Sequence, residues 1–148
     1  MATDSTFTPQ VLGETEKALN AILLKELAKT GLTEHQWIAL RLTMTAGGEI
    51  ARQELVGRLA RALKTGADEA ENRVDELVTA GLLRSSDDGL VAASEAGAHA
   101  HARVRGTVGE ITHRLWGDLP ANELEVTGRT LTTILARANA HYGAALTL

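Results

Sequence analysis

The chain has 148 residues, 44% of them apolar, with a formal net charge of −4 and no cysteine. That length suits one domain with a real core, the missing cysteine excludes disulfides, thiolate catalysis and Cys-ligated zinc, and the negative balance weighs mildly against nucleic acid, whose binding rests on phosphate neutralisation. No apolar run approaches the roughly 20 residues of a membrane span, and the start MATDSTFTPQ lacks the charged and apolar regions of a signal peptide, so a cytoplasmic protein with no membrane partner is expected.

Thr8-Pro9 reads as an N-cap followed by proline at the first helical position, and Val11, Leu12, Leu19, Ile22, Leu23 and Leu27 recur with roughly helical period until Gly31. Thr33-Glu34-His35-Gln36 is a capping-box pattern; it opens a second helix with Trp37, Leu40 and Met44 on one side, which Gly47-Gly48 ends. Ile50 lies in a stretch too short for more than an isolated β-bridge. A third helix, about Arg52 to Leu63, buries Leu55 and Leu59, with Ala62 a further candidate. After the turn Lys64-Thr65-Gly66, a fourth helix from about Ala67 to Ala80 gathers Ala70, Val74, Leu77 and Val78 on its apolar side and stops at Gly81. Two helices joined by a Gly-containing turn make a helix-turn-helix candidate. Leu82-Leu83-Arg84-Ser85 and Leu90-Val91-Ala92-Ala93 flank Asp87-Asp88-Gly89, a strong hairpin signal. Ser94 caps a fifth helix to about Trp116, and after Leu119-Pro120 a sixth runs from about Ala121 to Tyr142. The predicted fold class is mainly α: a winged helix-turn-helix with long N- and C-terminal helices.

This order of elements resembles the MarR family of bacterial transcriptional regulators over nearly the whole chain. The resemblance is carried by Leu32-Thr33-Glu34-His35-Gln36-Trp37, by Glu54-Leu55, by Val74-Asp75-Glu76-Leu77 with Ala80-Gly81-Leu82-Leu83-Arg84, and by Ser94-Glu95-Ala96-Gly97. It implies a single domain over 1–148, in which about 1–30 and 95–148 supply the dimerisation helices of an obligate homodimer and about 31–94 form the winged helix-turn-helix. It also implies effectors that bind between the dimerisation helices and the winged helix. The chain departs from the family pattern in two places. No Lys or Arg occurs between Arg84 and Arg103, so the hairpin tip is acidic where family wings carry an arginine, and the helix-turn-helix is about four residues longer between Glu-Leu and Asp-x-Leu.

Charge over 52–84 balances: Arg52, Arg58, Arg61, Lys64, Arg73 and Arg84 against Glu54, Asp68, Glu69, Glu71, Asp75 and Glu76. Arg58, Arg61 and Lys64, clustered at the helix-helix turn, are the phosphate candidates. The outward side of the fourth helix presents Asp68 or Glu69, Asn72, Arg73 and Glu76; a carboxylate such as Glu69 can accept from cytosine N4, Asn72 can read adenine and Arg73 guanine. Thr65 and Arg84 complete the DNA-facing set. For each basic residue the plain alternative is a solvated surface charge. Trp37 and Met44 are candidates for an effector pocket, or ordinary core residues at helical spacing.

His99 and His101 are two apart and point to different sides of a helix, so no metal site is expected; His35, His113 and His141 are isolated. No G-x-S-x-G elbow or P-loop occurs, and neither an enzyme nor a cofactor is expected. Two function classes follow. One is a homodimeric transcriptional regulator that binds double-stranded DNA at an inverted repeat and responds to a small-molecule effector. The other is a MarR-like dimer that no longer binds DNA and acts as a protein-interaction or ligand-binding module. The acidic tip and neutral reading head favour the second, the helix-turn-helix and its basic turn the first.

Overall fold

The computed structural model describes residues 6–146. Helix α1 (Pro9–Ala28) starts as its sequence dictates: Thr8 is the N-cap, and its Oγ1 accepts from the Val11 N–H at 3.1 Å. Helix α2 (Glu34–Thr45) has both halves of the capping box, Gln36 N–H to Thr33 Oγ1 and Thr33 N–H to Gln36 Oε1, each 3.1 Å. Two orphan amides are thereby satisfied. Gly47 and Gly48 follow with φ of 101° and 94° and turn the chain into the sheet.

The sheet corrects one expectation. Ile50 sits not in an isolated bridge but in a strand, β1 (Glu49–Ala51), which precedes α3 (Arg52–Leu63), α4 (Ala67–Thr79), β2 (Leu83–Ser85) and β3 (Leu90–Ala93). The antiparallel order is β1-β3-β2, with Ile50 opposite Val91 and Arg84 opposite Ala92. Three residues are too few to show a period of two. The strand exists because β3 supplies partners and the core covers Ile50 and Val91, both buried.

The β2–β3 turn is closed by Ser86 N–H to Leu90 O at 2.9 Å and Gly89 N–H to Ser86 O at 3.3 Å. Gly89 is left-handed at φ 76°, whereas Asp88 is not, so the turn is longer than a two-residue Asp-Gly pair. Helices α5 (Glu95–Trp116) and α6 (Ala121–Leu146) complete the order.

Residues through Gly109 form one compact unit and those from Glu110 onward a second. The first holds the apolar core, in which Leu40, Leu55, Leu59, Leu77, Val74 and Val91 are fully buried. Burial of one such side chain contributes about 1.5–3 kcal/mol. Helix α5 is pressed onto the base of the hairpin: Ser94 Oγ donates to Gly81 O at 2.6 Å and accepts from Gly97 N–H at 3.0 Å. A Cβ at Gly97 would lie 2.0 Å from Leu82 O, so only glycine fits there.

Candidate nucleic-acid interface

The core fixes which side of α4 looks outward. With Ala70, Val74 and Leu77 buried, Asp68, Glu69, Asn72 and Asp75 stand exposed. Of the sequence-derived candidates on this helix, Glu69 and Asn72 are therefore on the open face. Arg73 lies at its margin, its side chain 31% exposed, with Nε 3.1 Å from Glu76 Oε1. These two buried atoms are close enough for an ion pair but are not aligned as a hydrogen bond.

Arg58 pairs along its own helix with Glu54 at 2.6 Å. Such an exposed i,i+4 pair contributes only about 0.3–0.5 kcal/mol and yields readily to a phosphate. Arg61 is exposed and, among the described residues, has no ion-pair partner. Lys64 adopts a left-handed conformation at φ 57°, ψ 43° as the cap of α3, and its Nζ donates to Arg61 O at 2.7 Å. Thr65 is half-buried beside it, with its N–H bonded to Ala60 O at 3.0 Å. Arg61, Lys64 and Thr65 are thus brought together at the turn, while Arg84 stands apart on β2. The exposed Arg84 borders a groove of about 240 Å³ shared with Glu49, Ser85, Ser86, Leu90 and Ala92.

Arg52 was counted in the charge balance of the sequence but given no role there. Arg52 donates from Nε and Nη2 to Glu71 Oε2 at 3.0 and 2.6 Å, and from Nη2 to Asp75 Oδ1 at 2.5 Å. These contacts, the Glu71 hydrogen bond foremost, push its pKa further up against partial burial. Its partners lie 19 and 23 residues away, and no short-range pattern announces them.

Trp37 is 6% exposed and stacks on His101, ring centroids 5.3 Å apart and planes within 19°. His101, together with Met44, Ala98, Ala102, Arg105, Gly106 and Gly109, lines a cavity of about 540 Å³ between α2 and α5. Met44 thus lines it, and Trp37 reaches it through the histidine ring. His101 has its pKa lowered first by burial and then by the nearby Arg105 and Arg41 guanidiniums. His101, Arg105 and Arg41 were not singled out for this role in the sequence; the run of small residues Ala98, Ala102, Gly106 and Gly109 along α5 is the signal that could have marked the cavity. Among the described residues no three of His, Asp and Glu come together as metal ligands, and no helix is long and apolar enough to cross a membrane.

No family model matches the sequence, and no curated protein matches it. Solved structures do match. A MarR family transcriptional regulator from Silicibacter pomeroyi DSS superposes with a TM-score of 0.74 at 24% identity, over 90% of this chain and 90% of that one. CouR from Rhodococcus jostii RHA1, bound to p-coumaroyl-CoA, gives a TM-score of 0.70 at 21% identity, over 84% of this chain and 88% of that one. A mutant of MarR from E. coli complexed with operator DNA gives 0.66 at 19% identity, over 85% of this chain and 91% of that one. The chain has the winged helix-turn-helix fold of the MarR family regulators.

Proposed function

We propose that this chain is a homodimeric, non-enzymatic DNA-binding transcriptional regulator of the cytoplasm that answers to a small-molecule effector. The observation that carries the reading is the outward face of the helix-turn-helix, with Glu69 and Asn72 exposed on α4, Arg73 at its margin, and Arg61 and Lys64 exposed at the turn beside it; the first three would meet base edges and the last two phosphates. Arg58 and Arg84 add phosphate contacts at either side, and Thr65 a hydroxyl. The likeness to a fold solved on operator DNA supports this.

A dimer is supported by apolar surface left uncovered. Val11, Leu12 and Leu24 on α1, Leu115 and Trp116 on α5, and Val126, Leu135 and Tyr142 on α6 are exposed, more than an isolated chain normally leaves in water. Two reading heads related by a two-fold axis would select an inverted repeat with half-sites about one helical turn apart. The effector reading rests on the α2–α5 cavity. Arg105 lines it beside His101, Arg41 lies near enough to act on the same ring, and neither forms an ion pair among the described residues, which suits a ligand with a flat apolar body and a negative charge. Selection of binding sequences from a random duplex pool tests the proposal: a palindromic motif is expected, and no enrichment at low salt would refute it.

The alternative, a MarR-like dimer that serves as an interaction or ligand-binding module without DNA, is favoured by Arg73 being tied to Glu76 and by the exposed Asp87 and Asp88 at the hairpin tip. Under it, the same selection returns no motif while the dimer persists in sedimentation.

A further inference from the structure

Arg52 touches both elements that would meet a duplex. Its backbone N–H donates to Gly89 O at 2.9 Å, at the hairpin tip, while its guanidinium makes three hydrogen bonds to Glu71 and Asp75, one turn apart on α4. The apolar contacts of α4 are non-directional, and beside the small Ala70 at its start it is Val74, Leu77 and the partly buried Val78 that seat it. Hydrogen bonds are directional, so the bridge to Arg52 sharpens the roll about its axis that the buried side of α4 sets only broadly. It also places two carboxylates against a cation instead of leaving them bare beside a phosphate backbone.

We propose that Arg52 is a positioning residue for DNA reading, joining wing and recognition helix so that Asn72 and Arg73 meet the base edges in a fixed register. This rests on the DNA-reading function proposed above. Arg52 would touch no base itself. A lysine is a poor replacement, because its flexible ammonium lacks the rigid planar fork in which Nη2 bridges Glu71 and Asp75 while Nε holds Glu71 a second time.

The test uses the full-length protein and its own selected site, with a scrambled duplex as reference. In Arg52→Met and Arg52→Lys, affinity for the selected site should fall about tenfold, the scale of losing one base contact, while affinity for the scrambled duplex changes less than about twofold. Glu71→Gln with Asp75→Asn provides a second arm that leaves Arg52 in place. Removing two negative charges should strengthen binding to the scrambled duplex, yet the preference for the selected site should drop because neutral amide oxygens accept from Arg52 more weakly than the carboxylates do. A role in stability alone would leave the ratio of the two affinities unchanged among folded variants. A wild type that prefers a site, together with variants of either arm that keep its ratio, overturns the inference alone. A wild type with no preferred site overturns the DNA-reading account and this inference with it.

Discussion

The two charged regions of the first unit are organised in opposite ways. On the helix-turn-helix, Arg52, Arg58 and Arg73 each have a carboxylate within the fold, and among the described residues Arg61 at the turn is the exception. At the α2–α5 cavity, Arg105 in its lining and Arg41 nearby have none among the described residues and bear instead on a histidine. The first arrangement lowers the field that a passing polyanion would meet. The second leaves positive charge to be neutralised by whatever enters. Net charge alone, −4 for the chain, hides both, because what decides is which charges are already cancelled.

The largest way to break the comparison is to break the frame that holds both regions. Gly97 lies where α5 meets the hairpin, with Leu82 O and the Leu40 side chain on either hand. Gly97→Ala should cost about 3 kcal/mol of stability through overpacking against backbone, read as a lower melting temperature. Unchanged melting would mean that the close approach is not maintained in solution.

Arg73→Ala sharpens the reading side. If the protein reads DNA, affinity for the preferred site should fall by about 1–3 kcal/mol and preference at one position should relax. If it does not, the change removes only a pair with Glu76 along the helix, and stability falls by about 0.2–0.5 kcal/mol. Titrating both properties of one variant distinguishes the cases.

Arg61→Ala and Lys64→Ala should act differently, weakening binding to all sequences alike and lowering the salt slope by about one each. A loss confined to the preferred site would place these side chains on bases and erase the division between turn and helix.

The smallest effect belongs to the cavity and is one of pH. The folded state lowers the pKa of His101 from 6.5, so below that value the unfolded chain binds the proton more readily. Stability is therefore complete well above 6.5 and drains as pH falls through it towards the folded value. His101→Phe should remove this dependence while keeping a ring on Trp37. An anion seated in the cavity should reduce it, since it offsets the two arginines. Acid sensitivity that survives in His101→Phe would assign it to other groups.

Much of the fold was legible because its signals are local. The Thr8-Pro9 start, the Thr33/Gln36 capping box and the Asp-Gly turn each involve residues within a few positions, and all three elements form where they were read. Strand β1 was not legible, because three residues carry no period and their pairing with β3 spans some 40 residues of chain. The site divides the same way. Which residues of α4 face outward follows from its apolar period, whereas their cancellation does not: Arg52 finds Glu71 and Asp75 only once α3 and α4 are packed. His101 was considered in the sequence only as half of a histidine pair too closely spaced for a metal, and it lies flat against Trp37, a contact between two helices that no spacing within either could show.

The central claim is that DNA is read by a face whose charges are largely cancelled within the fold. It is tested most directly by measuring affinity for the selected inverted repeat and for a scrambled duplex across a salt series. The account predicts a preference that persists as salt rises, with a slope shallower than that of proteins contacting about 6–10 phosphates. Equal affinity for the two duplexes, or a slope as steep as theirs, would contradict it.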